Sequence, residues 1–263
     1  MGKRLKLATR AFGAEPGVPD VTVLAAWVGD HRGIAADLNL YLLDQSLAPQ
    51  ITAEIDVPCG GGKFCKDLIL ESLIGLDNGK VTGELDVCVD MIIEDAVQIA
   101  VQKKGVWFGL PAPHALDITD TYYNDEDEWR DTLAGMYRMI MRAMRDAGIG
   151  GHVLICDKAD EAEISALVRQ KVFFFEQHPD RESLETLMEH QRRIAAGKDQ
   201  LAMVFEIADE YELQQIIIVD ADTESIEFAL AHLDPDQIMV GGYCTDACQT
   251  YWKCLVESSR YST

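Results

Sequence analysis

Acidic, imidazole and thiol side chains end or closely follow many of the short apolar runs in this sequence. These residues are Glu54, Asp56, His114, Cys156, Asp157, Glu176, His178, Glu206, Asp209, Asp220, Asp222 and Cys244. Carboxylates and imidazoles can transfer protons, and Cys, His and Glu together suit Zn²⁺. If the runs are parallel strands, these side chains meet at one end of the fold. The sequence therefore predicts a polar functional site at that end.

A divalent metal site is the sharpest form of this hypothesis. We predict that Cys244 and Glu206, with Glu176 and His178, coordinate one Zn²⁺. Glu176 and His178 are two residues apart, so in an extended segment their side chains point to the same side. The alternative is that His178 lies in a turn before Pro179, while the two glutamates cap the helices that follow them.

Eight apolar runs alternate with helical patterns along the chain. The predicted strands are residues 5–10, 51–57, 106–111, 152–157, 171–176, 201–207, 216–220 and 237–243. Several, such as VFFFE and IIIVD, are apolar on both faces, as strands buried in a parallel sheet must be. A ninth run, residues 21–28, is compatible with a hairpin, an added strand or a helix.

The helices between these runs carry clearer signals. The acidic segment 124–128 predicts a helix start, and Gly148 predicts its end. Its apolar stripe is Trp129, Leu133, Met136, Ile140 and Met144. A second stripe is Leu184, Leu187, Met188 and Ile194, and a third is Ile226, Leu230 and Leu233. Eight strand–helix units predict a single-domain α/β protein over residues 1–263, a (β/α)₈ TIM-type barrel, with an open doubly wound sheet as the alternative.

Charge and composition narrow the classes of partner. The formal net charge is −22, from 45 acidic and 23 basic residues, and such a surface repels nucleic acid and anionic membranes. We see neither an apolar stretch long enough to cross a bilayer nor a secretory signal, so the sequence predicts a cytoplasmic protein. The seven cysteines include no C-x-x-C pair, and we expect free thiols rather than disulfides.

Several segments resemble the catalytic barrel of cobalamin-independent methionine synthases and the related uroporphyrinogen decarboxylase-like barrels. ITDTYYNDEDEWRDTLAGMYRMIMRAMRDAG is similar to the family's helix after its third strand, and Gly109-Leu110-Pro111 to the turn before it. ESIEFALAHLDPDQIMVGGYCTD with YWKCLVESS is similar to the closing helix, the cysteine-bearing last strand and the final helix.

The resemblance implies zinc-assisted transfer of a methyl group to the thiolate of a small thiol or amino-acid substrate. Glu54 and Asp157 match positions that bind the substrate's amino group, and Glu206 and Cys244 match zinc ligands. The methyl donor would be a folate, a pterin or a corrinoid, in the last case on a methyl-carrier protein. Zinc would lower the pKa of the substrate thiol and so supply the nucleophile.

The chain also departs from the family pattern. Glu176-Gln177-His178 stands where the family has His-x-Cys, and Asp222 stands where it has a histidine. Asp222 is therefore a candidate catalytic residue, and so is His114, whose Pro-rich turn would place an imidazole at the rim unless that histidine is structural. One alternative is a non-catalytic barrel that binds a small ligand and has lost the metal. Another is a cysteine hydrolase whose nucleophile is Cys248, at a helix start that would lower its pKa. The run 59–63, Cys-Gly-Gly-Gly-Lys, is compatible with a flexible turn, a phosphate-binding loop or a loop over the barrel mouth.

Overall fold

Parallel strands alternate with helices along most of the chain. The computed structural model describes residues 4–262. Their helices are α1 (Val21–Asp30), α2 (Leu38–Thr52), α3 (Lys66–Ser72), α4 (Asp90–Gln102), α5 (Glu126–Asp146), α6 (Glu161–Leu167), α7 (Arg181–His190), α8 (Leu201–Ile207), α9 (Thr223–Leu230) and α10 (Cys248–Ser258). Their strands are β1 (Arg4–Lys6), β2 (Ala8–Ala14), β3 (Cys59–Gly61), β4 (Leu73–Asp77), β5 (Lys80–Val87), β6 (Trp107–Pro111), β7 (Thr119–Asp120), β8 (Gly151–Cys156), β9 (Val172–Glu176), β10 (Arg193–Gly197), β11 (Gln215–Val219), β12 (Ile238–Cys244) and β13 (Arg260–Ser262).

Eight of these strands form two parallel four-stranded sheets, β10-β11-β12-β2 and β3-β6-β8-β9. A parallel bridge between Arg10 and Val57, just before β3, joins the two sheets. The combined order is therefore the chain order of a (β/α)₈ barrel, with helices covering the strands. Among the described residues no backbone ladder joins β9 to β10, so the ring is not closed by strand pairing. The fold is thus a mixed α/β fold with parallel strands in barrel order.

A side chain bridges part of the gap between β9 and β10. Gln191, the residue after α7, donates from Nε2 to the carbonyl of Phe174 at 3.0 Å and accepts from the Phe174 N–H at 3.1 Å. Phe174 is the middle residue of β9 and is fully buried. The amide of Gln191 therefore satisfies the backbone groups that a neighbouring strand would otherwise pair.

Aromatic rings fill the space between the strands. The Phe12 ring from β2 stacks on the rings of two residues of β9, Phe175 and Phe173, with centroid distances of 4.1 Å and 5.4 Å. The buried hydrophobic cluster extends from Leu7 to Val256. That one domain covers residues 1–263 stays a prediction. No helix of residues 4–262 is both long enough and apolar enough to traverse a lipid bilayer.

Additional strands decorate the eight-stranded core. β4 and β5 form an antiparallel hairpin whose turn, Asn78-Gly79, has positive φ at both residues, and β7 pairs with β5. β1 pairs with β13 and so joins the two ends of the described chain. The Asn-Gly turn matches the geometry that such tight hairpins require.

Two predicted strands are wrong. Residues 51–57 begin as the end of α2 and continue as a turn, and residues 201–207 are α8, which buries Leu201, Val204 and Ile207 at helical spacing. The strands in their places are β3 and β10, which are short and rich in glycine or alanine. Residues 21–28 belong to a helix, α1. The predicted run 5–10 divides into β1 and the start of β2.

The remaining predicted strands are confirmed to within about two residues at each end. The helix predicted after residue 125 is confirmed as α5, where the Asp125 side chain accepts from the Glu128 N–H at 3.0 Å. Leu133, Ile140 and Met144 of its stripe are buried, as the pattern predicts. Ile194, assigned to the stripe of α7 in the sequence, belongs instead to β10.

Candidate functional site

Four polar side chains converge at the carboxyl ends of the parallel strands. Glu15 follows β2, Lys63 follows β3, Asp157 follows β8, and Tyr243 is near the end of β12. The Glu15 carboxylate accepts from the Tyr243 hydroxyl and, at 2.5 Å, from the Lys63 N–H. The Lys63 ammonium lies 2.5 Å from the Asp157 carboxylate. We call these four residues the rim cluster.

Glycines bring the backbones of the rim cluster close together. Gly61, at the end of β3, has a φ of 82°, and a Cβ there would lie 2.5 Å from the Gly109 carbonyl and 2.9 Å from the Phe108 ring. Gly13 of β2 has a φ of 123°, and its missing Cβ would lie 2.7 Å from the Gly61 carbonyl. Side chains do not fit between these strands. Glycine at both positions lets Lys63 approach Glu15 directly.

Contacts within the rim cluster shift the pKa of two of its members, Asp157 and Tyr243. The hydrogen bond from Lys63 lowers the pKa of Asp157, against a smaller opposing effect of burial. Burial raises the pKa of Tyr243 far above its usual range, and the neighbouring Glu15 carboxylate raises it further. Tyr243 therefore stays a neutral hydrogen-bond donor, while Asp157 remains ionised beside Lys63 at neutral pH.

His114 lies beside the rim cluster, in a cleft of about 540 Å³ between α5, α6 and the segment after β6. Its Nδ1 atom is 2.8 Å from the Glu163 carboxylate, and the Glu163 side chain is largely buried, whereas 31% of the His114 side chain is exposed. The hydrogen bond to Glu163 raises the pKa of His114, although burial opposes this, and Asp157 adds a smaller increase. The carboxylate holds the imidazole by Nδ1 and leaves Nε2 as the nitrogen that can exchange a proton with a ligand.

The pKa of His114 is expected to lie above 6.5 and to fall when Glu163 is replaced by glutamine. Glu163→Gln removes the anion that stabilises the imidazolium, whereas Glu161→Gln changes an exposed acid on the same helix and serves as the control. Because the folded-state pKa is raised, this pair stabilises the fold below about pH 6.5, and its contribution is lost as the pH rises through the folded-state value. Titration of the imidazole by NMR measures the shift, and an unchanged pKa in Glu163→Gln would contradict the pairing.

The four predicted zinc ligands are not assembled. Glu176 ends β9 and is buried, and its carboxylate accepts from the Ala159 N–H at 2.8 Å. His178 is exposed in the turn that follows. Glu206 is on α8, not at a strand end, and its exposed side chain pairs with Arg181 at 3.1 Å. Within residues 4–262, a different group brings three possible metal-ligand atoms within 4.8 Å of one another. Its members are Glu161, Glu189 and His190.

Cys244 is joined to Cys248 by a disulfide that links the end of β12 to the start of α10. The expectation that all seven cysteines are free thiols is therefore wrong for these two. A disulfide sulfur is neither a zinc ligand nor a nucleophilic thiolate, so Cys244 does not fit the predicted metal site and Cys248 does not fit a hydrolase nucleophile. The donor set present does not fit the zinc centre that the resemblance implies.

Protein purified without reductant is expected to show five thiols when denatured, and seven after reduction. Cys248→Ser should lower the free energy of unfolding by about 2 kcal/mol, since the bridge spans four positions and closes only a short loop in the unfolded chain. Cys88→Ser, at an exposed free cysteine, is the matched control and should leave stability unchanged. Seven reactive thiols before reduction would contradict the pairing.

Two more predicted site residues, Glu54 and Asp222, lie outside the rim cluster. Glu54 lies in the turn between α2 and β3, at the amino ends of the strands, so it cannot share a ligand with Asp157 at the carboxyl ends. It was placed wrongly because residues 51–57 are not a strand. Asp222 caps α9 through the Ser225 N–H and pairs with Lys198 at 2.8 Å, and that pairing lowers its pKa to about 2. Asp157 and His114 lie at the predicted end of the fold.

Sequence reasoning missed Glu15, Lys63 and Tyr243. Glu15 was missed because β2 continues from Ala11 to Ala14, beyond the predicted end of that strand. Lys63 was considered only as part of a glycine-rich loop, whereas residues 59–61 form β3. A three-residue strand of cysteine and glycine carries no hydrophobic alternation. The remaining signal was the position of Lys63, two residues after this strand.

Comparison with known proteins supports the architecture. No protein-family model matches the chain, and no curated protein matches it. A solved structure from Listeria monocytogenes, named "Putative Vitamin-B12 Independent Methionine Synthase", is similar with a TM-score of 0.68 over 96% of both chains. The two sequences are 14% identical. The likeness is one of fold.

Proposed function

We propose that this protein is a barrel of the methyltransferase type that binds a small, amino-acid-like molecule at the rim cluster. The observation that supports this most is the Lys63–Asp157 pair, an ammonium and a carboxylate 2.5 Å apart at the carboxyl ends of two strands. A zwitterion carries the same two charges. Its carboxylate can pair with Lys63 while its ammonium pairs with Asp157.

The exposure of the pair supports this exchange. About 43% of the Lys63 side chain and 69% of the Asp157 side chain are exposed, so the bridge can open toward a ligand without unfolding its surroundings. Exposed ion pairs contribute at most about 1 kcal/mol to stability, and a ligand that satisfies both charges replaces that contribution. Glu15 and Tyr243 would hold the Lys63 backbone in position during the exchange.

Proton transfer at this site would be carried out by His114. With Nδ1 held by Glu163, its Nε2 atom can accept the proton of a substrate thiol, and Glu163 then stabilises the imidazolium. The thiolate would attack the methyl carbon of a donor, and the donor would leave with the electron pair of the broken bond. No step runs through zinc, because the zinc ligands are not assembled. The class of donor, whether a folate, a pterin or a corrinoid carrier, stays a prediction.

A non-catalytic ligand-binding barrel is the second candidate. Its support is the disulfide at Cys244 and the separation of the other predicted metal ligands. Both candidates share the rim cluster as the binding site and differ in whether a bond is made.

Calorimetry with L-methionine, L-homocysteine and L-cysteine tests the binding site. Lys63→Met is expected to weaken binding at least tenfold, because the ligand carboxylate loses its charged partner. Lys66→Met is the matched control, since Lys66 forms an ion pair with Asp117 at the same 2.5 Å but outside the cluster. Equal binding in wild type and Lys63→Met would refute the site.

Mass spectrometry of these ligands after incubation with methyl donors separates the two candidates. A methylated product that depends on His114 favours the enzyme. Binding without product across the donor panel favours the non-catalytic barrel.

A further inference from the structure

An arginine is buried between the strands at their amino ends, opposite the rim cluster. Arg10 of β2 is 3% exposed, and its guanidinium carbon lies 4.2 Å from the Trp107 ring centroid and 4.8 Å from that of Phe173. The rings cover the faces of the guanidinium. Its Nε and Nη2 atoms are enclosed and have no hydrogen-bond partner in the part of the chain that the structure describes. A buried charge without a hydrogen-bonded counter-ion is unfavourable.

A cavity of about 400 Å³ adjoins Arg10 and is lined by further basic residues. These are Arg169, Arg192, Arg193 and His190, and no Asp or Glu of residues 4–262 belongs to the lining. Arg192 is partly neutralised by Glu212 at 2.9 Å, whereas Arg193 forms no ion pair among the described residues. The pKa of Arg10 is lowered to about 10, chiefly by burial, and the positive charge of Arg193 makes a smaller contribution to that lowering. The two cations repel each other across the cavity.

The cavity exists because the ring of strands is open at this point. Its walls include Val172 and Phe173 from the start of β9 and Arg193 from the start of β10. These strands are not paired, and Gln191 bridges them only at Phe174. The gap between β9 and β10 therefore also opens into the cavity beside Arg10.

We infer that this cavity binds a compact multivalent anion, a molecule with a phosphate group or clustered carboxylates. Guanidinium groups match such anions through paired N–H donors, and an anion between Arg10 and Arg193 would neutralise both. The volume is in the range of small-molecule sites. A net charge of −22 repels large polyanions from the surface, which leaves small ones that can enter the gap.

Thermal unfolding with inorganic pyrophosphate or citrate, at constant ionic strength, tests the inference. We expect a saturable rise in Tm of about 5 °C when the anion exceeds its Kd a hundredfold. Pyrophosphate and citrate distinguish a phosphate ligand from a carboxylate one. Arg193→Gln should weaken binding at least tenfold, and the exposed Arg142→Gln is the control that should not.

Arg10→Met separates a binding role from a packing role. It is expected to raise Tm in the absence of anion, because it removes an uncompensated buried charge, and to abolish the rise with pyrophosphate or citrate. A lower Tm in Arg10→Met, together with no saturable effect of either anion on the wild type, would show a structural cation held by aromatic rings and would overturn the inference. Lys63→Met should leave anion binding unchanged, so this test is independent of the one at the rim cluster.

Discussion

Replacing Gly61 with alanine is expected to lower the free energy of unfolding by about 2–5 kcal/mol. Two costs add at this position. The φ of 82° is unfavourable by about 1–2 kcal/mol for any residue with a Cβ, and overpacking adds about 1–3 kcal/mol. The overpacking arises because the new Cβ would lie 2.5 Å from the rigid Gly109 carbonyl. Denaturant unfolding followed by circular dichroism measures the loss.

Gly79→Ala is the control that separates the two costs. Gly79 has a φ of 74°, close to that of Gly61, but no atom lies within 4 Å of its ideal Cβ position. Its substitution should cost only about 1 kcal/mol. If Gly61→Ala destabilises the protein no more than Gly79→Ala does, β3 does not approach β6 as closely as described. The backbone geometry that brings Lys63 to Glu15 would then be wrong as well.

Gln191→Leu is expected to destabilise the protein by about 3 kcal/mol. The substitution leaves the N–H and the carbonyl of buried Phe174 without the partners that the glutamine amide supplies, and each unsatisfied buried group costs about 1–3 kcal/mol. Leucine is similar in size, so the loss of packing is small. Calorimetric or denaturant unfolding would measure the change.

Gln249→Leu, at an exposed position on α10, is the matched control and should change stability by less than about 0.5 kcal/mol. Gln191→Glu refines the test, because a carboxylate can accept from the Phe174 N–H but cannot donate to its carbonyl. We expect it to destabilise strongly as well. A Gln191→Leu protein as stable as wild type would mean that another group pairs with β9, and that the opening beside Arg10 is closed in solution.

Much of the architecture was predictable from local patterns. VFFFE and IIIVD are apolar on both faces, which is the requirement of a strand buried in a parallel sheet, and both are strands. Asp125 and the stripe that follows it predicted α5, because a capping carboxylate and a 3.6-residue period are local properties. Asn78-Gly79 carried an equally local signal for the hairpin of β4 and β5, which the sequence analysis overlooked.

The candidate site was predictable in part. Asp157 and His114 follow strands that were recognised, so their position at the carboxyl ends followed from the parallel order. Glu54 was misplaced because residues 51–57 are the end of a helix and a turn, and Glu206 was misplaced because its apolar run is a helix. LAMVFEI is as apolar as a strand, and a seven-residue run does not distinguish the two periods well. Glu206 faces solvent because the opposite face of α8, with Leu201, Val204 and Ile207, packs inward.

By itself, the sequence determined the alternation of strands and helices, the parallel order and the end of the fold where polar groups gather, because hydrophobic period and capping act over a few residues. Only the tertiary structure decided that β3 and β10 are strands, that Cys244 meets Cys248, that Glu15 meets Lys63, and that Arg10 is enclosed by rings from distant strands. Each of these depends on contacts between distant segments or on backbone conformations that neighbouring strands impose. Such contacts form only when the whole ring of strands packs, so no local pattern specifies them.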